Sequence, residues 1–147
     1  MNKQVTKSII VNGEVPDLFQ TWLDYRNHPR FMENISSATE EGPDTVRWVM
    51  EGPMNRKLEW TTKITLLEPN KRIGWKTVEG DLKTSGQVTF TDLAQGQAEV
   101  TVTSQMIPPD DLVGKVAAMF EDEDAQWEKD LRNFKAFVEN RSRQRIA

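Results

Sequence analysis

From Ile35 to Ile107 the chain is a succession of strand-length runs, broken at Gly42-Pro43-Asp44, Gly52-Pro53-Met54-Asn55, Pro69-Asn70, Gly80-Asp81 and Gln95-Gly96. Gly, Pro, Asn and Asp are the residues that a backbone reversal needs, so about six strands with short connections are expected. The runs alternate in polarity. Leu58, Trp60, Thr62, Ile64 and Leu66 fall on one face of a strand, with Lys57, Glu59, Thr61, Lys63 and Thr65 on the other. The same rule groups Val46, Trp48 and Met50, then Ile73, Trp75 and Thr77, then Val88 and Phe90, then Val100, Val102, Ser104 and Met106. A sheet with one buried face and one wet face, joined by short turns, is an antiparallel meander.

Both flanks of this block are helical. After Pro108-Pro109 no Gly or Pro occurs beyond Gly114, and apolar residues recur at helical spacing through Val113, Val116, Phe120, Trp127, Leu131, Phe134 and Val138. A long terminal helix is predicted, interrupted in its stripe by Asp124. Ahead of the block, Val5 to Val11 reads as a first strand ending at Gly13. Pro16 and Asp17 suit a helix start, and Leu18, Phe19, Trp22 and Leu23 give that helix an apolar face. The His28-Pro29 step and Phe31-Met32 suggest a second short helical turn. The expected class is therefore α+β: seven strands, two short helices after strand one, and a long C-terminal helix.

At 147 residues the chain suits one domain, 1–147, with the basic end 141–147 expected to be a solvated, frayed tail. There are 23 acidic and 19 basic residues, a net charge of −4, so no positive field recommends nucleic acid as a partner. The absence of Cys removes disulfides, thiolate metal sites and thiol nucleophiles, and a single His removes a His-rich metal centre. The sequence calls for no metal and no cofactor. No apolar run is long enough to span a membrane, and a cytoplasmic protein is expected.

The segment Val15-Pro16-Asp17-Leu18-Phe19-Gln20-Thr21-Trp22 followed by Pro29-Arg30-Phe31-Met32-Glu33 resembles the polyketide cyclase/dehydrase branch of the START-like (SRPBCC) superfamily. So do Leu58-Glu59-Trp60-Thr61-Thr62-Lys63-Ile64, Pro69-Asn70-Lys71-Arg72-Ile73-Gly74-Trp75 and Ser85-Gly86-Gln87-Val88-Thr89-Phe90, in that order. The resemblance implies a helix-grip fold, in which a seven-stranded antiparallel sheet curves around the terminal helix and leaves a cavity between them. It implies a small hydrophobic ligand, polyketide-, quinone- or lipid-like. The superfamily also includes cyclases and chaperone regulators, so an enzyme of the cyclase or dehydratase type, or an interaction protein with a filled core, are the alternatives.

The inward faces name the candidate ligand contacts: Trp48, Met50, Trp60, Thr62, Trp75, Thr77, Phe90, Val102 and Ser104 from strands, and Val116, Met119, Phe120 and Asp124 from the helix. Large aromatic residues on alternating positions either fill a core or line an apolar pocket. Polar groups are scarce on these faces, which favours binding over proton transfer. Asp124 is the sharpest anomaly, since a carboxylate in an apolar stripe must be paired, protonated or wet. If it faces the pocket, it is placed to anchor a ligand hydroxyl or amine; the alternative is solvent at the cavity mouth. His28 reads as a polar loop residue, and Tyr25, Phe31 and Met32 as a lid edge.

Overall fold

A computed structural model describes residues 4–109, 111, 118 and 122–146, without the side chains of Pro53 and 142–146. Seven antiparallel strands form one sheet: β1 (Gln4–Asn12), β2 (Ile35–Gly42), β3 (Thr45–Glu51), β4 (Lys57–Glu68), β5 (Arg72–Gly80), β6 (Lys83–Ala94) and β7 (Gln97–Ile107). The order across the sheet is β1-β7-β6-β5-β4-β3-β2, so every hairpin pairs with its neighbour and β1 returns to lie beside β7. Helix α1 (Val15–Leu23), a 3₁₀ turn (Tyr25–Asn27) and α2 (His28–Phe31) carry the chain from one sheet edge to the other. Helix α3 (Glu123–Ile146) packs against the concave face. This is the helix-grip arrangement, with the two short helices where they were expected.

The core divides along the strands. One end is packed solid: Ile73, Val88, Phe90, Val100 and Val102 meet Leu18, Phe19 and Trp22 of α1 and Leu131, Phe134 and Val138 of α3. Phe134 is fully buried and meets the rings of Trp22 and Phe31 with centroids 5.3 and 5.0 Å away, edge to face. A second cluster at the other end, including Tyr25, Ile35, Val46, Trp48, Leu58, Trp60 and Leu82, is lined rather than filled.

Two β-bulges break the alternation on which the face assignments rest. In β4, Ile64 pairs with Trp75 but Leu66 pairs with Gly74, so Thr65 is an extra residue. Leu66, expected inside, is thereby turned to the outer face and is 38% exposed. In β5, Thr61 pairs with Glu79 and Thr62 with Thr77, which makes Val78 the extra residue and leaves it exposed. Helix α3 continues to Ile146. Arg141 lies over the Phe137 ring and reaches Thr21 Oγ1 at 3.4 Å.

Candidate functional site

Between the second cluster and α3 lies a cavity of about 130 Å³. Trp22, Tyr25, His28 and Met32 wall it on the side of the short helices. Trp48, Met50, Trp60, Thr62, Trp75, Leu82, Thr84, Ser104 and Met106 come from the strands, and Glu123, Gln126, Trp127 and Asp130 from α3. All five tryptophans of the chain therefore face one space. Trp48 and Trp60, directly opposite on β3 and β4, stack with centroids 6.3 Å apart and planes 12° from parallel. Trp48 Nε1 donates to Thr62 Oγ1 at 2.9 Å, which satisfies the indole and uses the threonine hydroxyl.

Trp75 owes its place to a glycine. A Cβ on Gly86 would stand 2.9 Å from Trp75 Cζ2 and 2.4 Å from the Thr103 carbonyl oxygen. Neither contact is tolerable, and the carbonyl is backbone that cannot swing aside. Gly86→Ala is expected to cost about 1–3 kcal/mol by overpacking and to push the indole into the cavity. Urea denaturation and the indole N–H resonance of Trp75 check this; an unchanged midpoint and an unmoved resonance refute it.

Polar chemistry gathers on α3 and the loop that faces it. Asp130 is only 5% exposed, and its Oδ1 accepts from the Glu33 backbone N–H at 3.2 Å and from Gln126 Nε2 at 3.0 Å. Gln126 accepts in turn from Asn34 Nδ2, and Lys129 pairs with Glu33. Desolvation raises the Asp130 carboxyl to about 6, against the lowering effect of the two hydrogen bonds. Nearby, Ser104 Oγ donates to Glu123 Oε1 at 3.1 Å.

Raising this pKa makes the group's contribution to stability fall as pH rises. The folded state holds its proton up to about pH 6, whereas the unfolded chain releases it near 3.8. The ionised form is the penalised one, so the penalty grows as pH rises from 3.8 to 6 and is complete above that. Asn at this position keeps an acceptor and carries no charge. Asp130→Asn is therefore expected to stabilise the protein by about 1–2 kcal/mol at pH 8 and to change it little at pH 4. Denaturant titrations at the two pH values measure the difference, and a destabilised variant at pH 8 would refute it.

His28 is the buried surprise of the site. It is 2% exposed, stacked on Tyr25 at 4.8 Å, and edge to face with Trp22 and Trp48 at 5.2 and 5.3 Å. Nε2 lies 2.8 Å from the Trp22 carbonyl oxygen, which can only accept, so Nε2 carries the proton. Nδ1 then presents its lone pair beside Met32 Sδ, 3.2 Å away. Desolvation lowers the imidazole to about 4, so the ring is neutral at pH 7. Burial also pushes the Tyr25 phenol well above its ordinary value.

The family model for "Polyketide cyclase / dehydrase and lipid transport" matches residues 11–137. The chain belongs to that family. Its members' fold recurs in solved structures: the Zhui aromatase/cyclase from a Streptomyces species has a TM-score of 0.77 at 14% identity, covering 97% of this chain and 96% of that one. A START superfamily protein from Mycobacterium smegmatis gives 0.71 at 15% identity, covering 96% and 97%. A sequence relative, an uncharacterized 17.2 kDa protein from the melC2-rnhH intergenic region of Streptomyces lincolnensis, is 28% identical over 141 residues, 96% of this chain and 93% of that protein. The family's START-like fold is thus shared, while identities this low in the solved structures speak to the fold alone. No helix among the described residues is long and apolar enough to cross a membrane.

Set against the residues named from sequence, the cavity gathers Trp48, Met50, Trp60, Thr62, Trp75 and Ser104. Phe90 and Val102 do not line it: both lie in the solid end of the core, where α1 and α3 cover the sheet. Thr77 is displaced from the lining as well. The β5–β6 pairing ends at Lys76 and Ser85, and Thr77 Oγ1 takes the Thr84 backbone N–H at 2.9 Å, so that Thr84 faces the cavity in its stead. Val116, Met119 and Phe120 lie outside the described residues.

Asp124 does not face the cavity. Its side chain is 47% exposed and pairs with Lys7 of β1 at 3.3 Å. At about 100° per residue, position 124 lies some 60° from Trp127 on one side of the helix. Positions 123, 126 and 130 lie about 40–100° to the other side, and that is the flank turned to the cavity. Glu123, Gln126 and Asp130 escape the apolar pattern for this reason: the stripe locates the buried seam of α3, and the cavity borders the seam on one side only.

Proposed function

We propose that this protein binds a compact apolar ligand in the cavity between sheet and helix. The carrying observation is the wall itself: five indoles and a phenol ring with a few polar atoms at the helical side. Sites of this kind hold a ligand by apolar contact and orient it by a small number of polar groups. At about 130 Å³ the space suits a single-ring guest, comparable to the roughly 150 Å³ of cavities that take up benzene. A multi-ring polyketide, an isoprenoid quinone or a lipid chain fits only if Met32, Met50 and Met106 swing aside, and flexible thioethers are suited to that.

Gently purified protein should show an adduct in native mass spectrometry that organic extraction releases, and Thr84→Phe, which adds bulk to the lining, should lose it. A clean apo mass combined with no binding across a panel of single-ring compounds would overturn the reading in favour of an interaction protein.

One observation favours a second reading, a cyclase or dehydratase. Asp130 is a buried carboxyl poised near pH 6 on the cavity wall, the protonation behaviour that a general acid acting on a leaving hydroxyl requires. Turnover of a hydroxylated cyclic ketone that Asp130→Asn abolishes without loss of binding would establish it.

A further inference from the structure

Charge is unevenly distributed around the cavity. Its helical wall carries two carboxylates, Glu123 and Asp130, and among the described lining residues there is no Lys or Arg. The remaining wall offers indole and phenol faces, which bear partial negative charge. An anionic headgroup brought here would lose its hydration, meet no counter-charge among the described lining residues and face the Asp130 carboxylate. A cation would find a carboxylate and several aromatic faces together, the combination that recognises ammonium groups.

Asp130 supplies the anchoring atom. Both of its hydrogen bonds fall on Oδ1, and Gln126, one of the donors, is itself held by Asn34. The carboxylate is thereby fixed in position with Oδ2 left for a guest. The adjacent charges, Lys129 and Glu33, pair with each other on the exposed side at 2.8 Å and bring no net charge to the cavity. Glu123 stands seven residues earlier, about 10 Å along the helix, too far to share the same small cation.

We propose that the ligand is a compact aromatic or alicyclic amine bound in its protonated form, with the ammonium at Asp130 Oδ2 and the ring among the indoles. This rests on the cavity being a ligand site, and the test separates the two claims. Three probes share one skeleton and differ in charge: phenethylamine, phenethyl alcohol and hydrocinnamate. Calorimetric titration at pH 8, where the amine and Asp130 are ionised, should rank amine above alcohol by about tenfold, with hydrocinnamate not binding. In Asp130→Asn the preference for amine over alcohol should collapse to about twofold or less, while Glu123→Gln should retain it.

Equal or tighter binding of the alcohol, binding of hydrocinnamate, or a preference that survives Asp130→Asn would overturn the amine proposal and leave the cavity standing as a ligand site. Failure of all three probes to bind would overturn both. Thermal unfolding of each variant, with Asp130→Asn no less stable than the parent, confirms that the comparison is between folded proteins.

Discussion

Between pH 6.5 and pH 4 the Asp130→Asn variant should lose about 3 kcal/mol of stability through His28 alone, while the parent protein loses less. His28 is the single histidine of the chain, so the assignment is unambiguous. In the unfolded chain it takes a proton near 6.5; in the fold, burial delays this to about 4. Across that window the unfolded state binds more protons, and stability falls as pH falls. Asp130 works in the opposite sense between 6 and 3.8, because the folded state there holds a proton the unfolded chain releases. The parent thus carries two opposed titrations around one cavity, and removing the carboxyl exposes the full slope of the other. Urea titrations at half-unit pH steps measure both slopes. The histidine ring resonances give a direct check: a ring that titrates near 6.5 in the folded protein would refute the account.

Phe134→Ala should be the most damaging single truncation in the described core, at about 3–5 kcal/mol. Phe134 is fully buried at the centre of an aromatic group formed by three separate segments: Trp22 of α1, Phe31 of α2 and α3 itself. Its removal leaves a hole that none of these rigid rings can collapse to fill. It does not line the cavity, so single-ring compounds should still bind to whatever fraction remains folded. Chemical denaturation monitored by far-ultraviolet circular dichroism gives the number; a loss below about 1.5 kcal/mol would show that the site relaxes as well-tolerated core positions do.

Much of the architecture could be read from alternation and spacing, because a meander with one wet face prints its period on the chain. Trp48, Met50 and Trp60 were placed this way, and so was the Leu131-Phe134-Val138 seam. Failures occur where a single residue shifts the count. The bulges at Thr65 and Val78 have no compositional mark, yet the first moves Leu66 to the opposite face. Asp124 and Glu123 differ by one position on a helix, and only packing against β1 decides which one pairs with Lys7 and which turns toward Ser104. His28 precedes a proline, and local pattern makes such a residue a polar loop position. Its burial comes from the crossing segment folding back over the second cluster, a long-range event that local pattern does not record.

That all five indoles border one chamber has an optical consequence. With no tryptophan elsewhere to dilute the signal, the near-ultraviolet emission of the whole protein is the emission of that chamber. A guest that displaces water from it, or quenches by contact, changes the entire spectrum rather than a fraction of it. The molecule therefore carries its own reporter, and unlabelled protein can be screened against compound libraries by its native fluorescence.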